Sequence, residues 1–125
     1  MKKSLVIIAV FAIGMMFLSS CGGGSKEFTA NLENGKKVYE NSCIACHMKG
    51  VAGAAKLTDK DRWVISAKKG KDTLFMHVKE GYKGEYGVMP EKGQCKDCSD
   101  QDIYDGLSYI LKEAGVEDMA EKATN

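Results

Sequence analysis

The sequence predicts an all-α domain of about four short helices, on three observations. Apolar residues recur at helical spacing, capping signals stand ahead of the periodic stretches, and no stretch alternates convincingly with period two. A chain of 125 residues has room for one domain at most. Eighteen basic against 17 acidic side chains leave a formal charge of +1, so no nucleic-acid partner is expected. Fourteen glycines and a single proline exclude collagen-like and proline-rich chains. Five cysteines and seven methionines beside two histidines are the unusual entries in the composition, and they direct attention to sulfur chemistry.

The chain opens with Lys2 and Lys3 ahead of an apolar run from Leu5 to Leu18. A basic start and an apolar stretch shorter than the roughly 20 residues of a bilayer span are the pattern of a secretory signal, so residues 1–20 are expected to be removed. Leu18-Ser19-Ser20-Cys21 resembles a bacterial lipobox, which makes Cys21 the expected lipidation site and new amino terminus. The competing reading is an ordinary signal peptide that happens to end beside a cysteine. Residues 21–33 then form the lipidated cysteine and a flexible tether beginning Gly22-Gly23-Gly24-Ser25. Two or more acyl chains on Cys21 would hold the domain stably at a membrane, and Gly22 in place of an aspartate slightly favours the outer one. Export to the bacterial periplasm places every later cysteine in an oxidising compartment.

The folded domain is expected over residues 34–115. Asn34 can cap a first helix running through Val38 and Tyr39 toward Ser42. Thr58 with Asp61 forms a capping-box-like start for a second, which carries Trp63, Val64 and Ala67 and stops at Gly70. Asp72 can cap a short third helix that holds Leu74, Phe75 and Val78 and ends at Gly81. Ser99 with Asp102 opens the last, where Ile103, Leu107, Ile110, Leu111 and Ala114 make one apolar stripe before Gly115. The charged tail over 116–125 is expected to fray. So few large apolar side chains in so short a domain leave the core small, and a bound group is expected to fill its middle.

That group is read from Cys43-Ile44-Ala45-Cys46-His47, which is C-x-x-C-H, the attachment sequence of c-type haem. Two thiols three positions apart at a helix end can form thioethers to one porphyrin edge, and the next residue then lies under the iron. His47 is the expected proximal ligand, and one covalent haem c the expected cofactor. A thioredoxin-like redox pair would need a strand before Cys43 and a βαβ context, which the sequence does not show. A zinc site using Cys43, Cys46, Cys95 and Cys98 would need its pairs about 15 to 20 residues apart, and far more chain than that lies between them. A plain disulfide beside an idle histidine stays open.

For the iron's other face the candidates are Met48, Met76, His77, Met89 and Met119. Met48 adjoins His47, Met76 and His77 are neighbours on a helix, and Met119 lies in the tail. Met89 sits in a glycine-rich loop, Gly81 to Pro90, with proline fixing the backbone just after the sulfur, and is the best placed. Histidine and methionine together leave the iron no open position and raise its potential, which suits electron transfer.

The constellation resembles the class I c-type cytochromes, and within them the cytochrome c5 group, over about residues 34 to 114. The marks are Gly35 to Tyr39, Cys43 to His47, Gly50-Val51-Ala52-Gly53-Ala54, Trp63, Met89-Pro90 and Cys95-Lys96-Asp97-Cys98-Ser99-Asp100. The resemblance implies a Cys95 to Cys98 disulfide at the start of the last helix, and a close crossing of the first and last helices at Gly35 and Gly106 with Tyr39 and Tyr109 alongside. It also implies that the carbonyl at position 55 accepts from the ligand histidine. Family members commonly have proline there, and Ala55 departs from the pattern. The function implied is one-electron transfer with redox protein partners in the cell envelope, without a small-molecule substrate and without enzyme activity. Lys49, Lys56, Lys83, Lys92 and Lys96 are candidates to steer an acidic partner. The alternatives are a haem enzyme or gas sensor with an open iron site, and a haem-bearing docking module in a larger membrane complex.

Overall fold

The computed structural model describes residues 27–124. The readings of residues 1–20, Cys21 and the glycine tether lie outside them.

Asn31 opens the first helix, its side chain accepting from the Asn34 amide at 3.0 Å. The cap thus falls three residues before the expected Asn34, whose own amide is used elsewhere. Asn34 Nδ2 donates to Asp102 Oδ1 and to Asp105 Oδ2, both at 2.9 Å. Helix α1 (Leu32–Val38) runs on through one π turn (Tyr39–Cys43) into α2 (Ile44–His47), so the C-x-x-C-H residues ride the end of one continuous rod. The end of the expected tether is also packed: Phe28 lies 5.3 Å from the rings of both Phe75 and Tyr104.

Helix α3 (Lys60–Ala67) follows Asp59 with no side-chain cap bond, rather than starting at Thr58, and buries Trp63 and Ala67. Helix α4 (Lys71–Glu80) starts one residue before the expected cap Asp72, behind Gly70. Its first amides find a distant partner, since Thr124 Oγ1 accepts from Lys71 N at 2.8 Å. Thr124 belongs to α6 (Glu117–Thr124), which replaces the expected frayed tail. Val116 and Ala120 are buried beneath it, and the buried Lys71 pairs with Glu121 at 3.2 Å. Two small apolar residues one turn apart suffice to seat this helix, too weak a stripe to announce it in the sequence.

Between α4 and the last long helix, β1 (Tyr82–Gly84) and β2 (Gly87–Met89) form an antiparallel hairpin pairing Tyr82 with Met89 and Gly84 with Gly87. A loop was expected there, and three-residue strands are too short to display alternation. A 3-10 turn, Glu91–Gln94, leads to the Cys95–Cys98 disulfide, whose Cα atoms stand 5.4 Å apart. Helix α5 (Asp100–Glu113) then starts at the expected capping box, Ser99 and Asp102 each bonding the other's backbone.

Helices α1 and α5 cross at backbone contact. A Cβ on Gly35 would overlap the Asp105 carbonyl, one on Gly106 would meet Val38 Cγ1 at 3.0 Å, and the Tyr39 and Tyr109 rings pack at 5.5 Å. Leu107, Ile110 and Leu111 extend this seam into a core shared with Trp63 and Leu74. Among the described residues no helix is long and apolar enough to cross a membrane.

Candidate haem-attachment site

His47 closes the rod, half-buried, and its Nδ1–H donates to the Ala55 carbonyl at 2.8 Å. A carbonyl accepts only, so this bond fixes the tautomer and leaves the Nε2 lone pair available to a metal. Burial pushes the imidazole's pKa down; the Ala55 bond opposes that, and the Arg62 charge adds to it. The ring is therefore neutral at neutral pH, the form a metal takes. The Trp63 indole lies 5.7 Å from it and donates to the Lys56 carbonyl at 2.8 Å, which holds the loop carrying Ala55.

Cys43 and Cys46 are free, half-buried thiols, although Cys95 and Cys98 form a bridge. Burial, then the neighbouring Cys46, pushes Cys43 up to about 11, so it stays protonated. Among the described residues no strand precedes Cys43, which counts against the thioredoxin-like reading. The bridge takes Cys95 and Cys98 out of any zinc set, and among the described residues no three His, Cys, Asp or Glu side chains are grouped to hold a metal ion. Two unbridged thiols on one rod, beside an imidazole with its second nitrogen tied back, fit a covalent haem.

Met89 ends β2 half-buried, with Gly93 beside its methyl: a Cβ there would lie 3.6 Å from Met89 Cε. Met48, Met76 and Met119 are exposed, and His77 lies stacked on Tyr82 at 4.0 Å. The Met89 hairpin sits against the 3-10 turn Val51–Gly53, two residues before Ala55. Contact is backbone to backbone, since a Cβ on Gly53 would overlap the Tyr86 carbonyl and one on Gly87 the Ala52 carbonyl. Arg62 spans the same junction, Nη2 donating to the Gly53 carbonyl at 2.8 Å and its guanidinium lying 4.1 Å over the Tyr86 ring. Sequence reasoning passed over Arg62; its signal is that it is the single arginine among eighteen basic residues. Of the five lysines considered for steering, Lys92 is occupied, donating to the Cys98 carbonyl at 3.0 Å.

The family model described as cytochrome C oxidase, cbb3-type, subunit III, matches residues 30–110. Cytochrome c-555 of Chlorobaculum tepidum is 34% identical over 84 residues, 67% of this chain and 78% of the relative. Cytochrome c5 of Azotobacter vinelandii is 34% identical over 84 residues, 66% of this chain and 88% of the relative. A chain in the crystal structure of an electron transfer complex of nitrite reductase with cytochrome c superposes with a TM-score of 0.60 at 30% identity, covering 69% of this chain and 99% of that one. With fold and sequence held in common, this chain belongs to the class I monohaem c-type cytochromes, small electron carriers that bear one covalent haem c.

Proposed function

We propose that Cys43 and Cys46 would hold the haem of this electron carrier, that His47 and Met89 would bind its iron, and that a lipid on Cys21 holds the protein at a membrane of the bacterial cell envelope. The observation that carries the ligand assignment is the 2.8 Å bond from His47 Nδ1 to Ala55, which ties back one ring nitrogen and leaves the Nε2 lone pair for the iron. The half-buried position of Met89, against exposed Met48, Met76 and Met119, supports the second ligand. When bound, the haem supplies a one-electron Fe(III)/Fe(II) couple. The thioether of Met89 is soft and would favour the ferrous state relative to a hard donor, and with His47 it would leave no position for a substrate. Ala55 and Trp63 fix the imidazole plane, so little has to reorganise when charge changes. Exposed Lys49, Lys56, Lys83 and Lys96 offer positive charge to an acidic redox partner.

The proposed layout has residues 1–20 as the removed leader, 21–33 as anchor and tether, 34–115 as the cytochrome domain and 116–125 as the charged tail. Phe28 packs on Phe75 and Tyr104 and α1 begins at Leu32, so the folded part reaches back into the expected tether.

Material from a host competent in cytochrome maturation tests the reading. The expected product carries one haem that survives acid-acetone extraction, shows the weak red band of thioether-bound ferric iron, and does not bind carbon monoxide when reduced. Met89→Ala is expected to bind it. Carbon monoxide binding by the unaltered reduced protein at neutral pH would favour the haem enzyme or gas sensor instead. Cys21→Ala is expected to move the protein from the membrane fraction to the soluble one. The description of the matching family model favours a second reading, a haem-bearing module of a membrane oxidase, and co-purification with other subunits after solubilisation separates it from a lone carrier.

A further inference from the structure

We propose that Arg62 is a positioning residue that locks the Met89 hairpin to the loop behind His47, so that the segments carrying the two axial ligands move as one. This rests on the ligand assignment above and extends it to a residue outside the proposed ligand set.

The chain meets its need for positive charge with lysine at every basic position but one. At position 62 the side chain does two things at once: an in-plane N–H reaches the Gly53 carbonyl at 2.8 Å, and the flat of the guanidinium covers Tyr86 at 4.1 Å. A planar, forked cation combines both, whereas an ammonium is a compact point charge. The two targets are informative. Gly53 lies two residues before Ala55, whose carbonyl holds His47, and Tyr86 lies three residues before Met89.

The hairpin needs such a tie. Its strands are three residues long, and a two-stranded ribbon of that size is marginal by itself. Tyr86 and Val88 are 55% and 58% exposed, so burial contributes little at the turn end. The other end is pinned separately, by Tyr82 stacked on His77 and accepting from Lys69 Nζ at 3.0 Å. Glycine at 53 and 87 lets the two backbones touch, but touching glycines do not hold one another. The Arg62 contacts close the junction.

The test uses the holoprotein and its Arg62→Gln, Arg62→Lys and Tyr86→Leu variants. Readouts are the affinity of the ferric form for added imidazole, which competes with the thioether, and amide exchange in three places: the hairpin, residues 52–55, and α5. Arg62→Gln is expected to bind imidazole roughly tenfold more tightly and to speed exchange in the hairpin and residues 52–55 together, with α5 unchanged. Tyr86→Leu is expected to do the same to a smaller degree, and Arg62→Lys to recover part of the lock. Should one variant fail to fold, the other two carry the same comparison. Unaltered imidazole affinity and exchange in Arg62→Gln, or exchange raised equally in α5, would overturn the proposal. Absence of the thioether band in the unaltered protein would instead sink the ligand assignment, and the exchange pattern would still decide whether Arg62 joins the two segments.

Discussion

The rod that carries Cys43, Cys46 and His47 and the hairpin that carries Met89 are held by different kinds of contact. The rod shares a continuous seam with α5: glycines at the crossing, tyrosines packed tilted beside it, and a buried Asp105 that accepts from Asn31 N, Asn34 Nδ2 and Gln101 Nε2. The hairpin is held at points, by Arg62 at its turn and by His77 and Lys69 at its base, while glycines at 53 and 87 only let its edge come close to residues 52 and 53. Opening the rod therefore means opening the domain, whereas the hairpin can release while the rest stays folded. One proposed ligand rides on global stability and the other on a local equilibrium, which suits a carrier whose iron must be gripped firmly on one side and tuned on the other.

The severest way to break that contrast is Gly35→Val. Its side chain has no room above the Asp105 carbonyl, and relieving the overlap separates α1 from α5. We expect a loss of about 3 kcal/mol or more in denaturant unfolding of the holoprotein, with rod and hairpin signals lost in one transition. A hairpin that melted first would contradict the shared-seam account. Gly53→Ala strikes the other region. Gly53 holds φ +82, where an alanine is strained by about 1–2 kcal/mol before its overlap with the Tyr86 carbonyl is counted. Hairpin amides should exchange about thirtyfold faster while the α5 core amides keep their protection. Equal acceleration in both would mean that the hairpin belongs to the same cooperative unit as the seam.

The same division explains what could be read in the sequence. The thiols and imidazole of Cys43 to His47 lie within five residues at the end of one helical rod, so their chemistry is written in five neighbouring letters. The Ser99–Asp102 box and the apolar stripe of α5 are likewise local, and the helix appears where they put it. The hairpin is not local. Its strands are too short to show a period, and its position comes from contacts with residues 52, 53 and 62. The cap of α4 comes from Thr124, 53 residues away, which is why Asp72 looked like the start and the tail looked loose. The Ala55 carbonyl occupies the place the family resemblance assigns to a proline, so the hydrogen bond survives without the ring that usually fixes that backbone.

Acid should sharpen the contrast with the smallest effect, because the two regions titrate in different windows. His77 has its pKa pushed down by burial and then by Lys69. A depressed histidine contributes stability that is present above its unfolded value of 6.5 and is lost as pH falls through the folded value, so the stack on Tyr82 should loosen below 6.5. Asp102 is held low by Asn34 and then by Ser99, so its contribution to the α1–α5 crossing persists until pH falls below 3.8. Both groups are largely solvent-screened, so hairpin exchange should rise only a few-fold between the two windows, while the crossing stays protected. His77→Gln should flatten the first change and Asp102→Asn the second. If hairpin exchange in His77→Gln kept its rise below 6.5, some other group would be responsible, and the base of the hairpin would not be pinned as described.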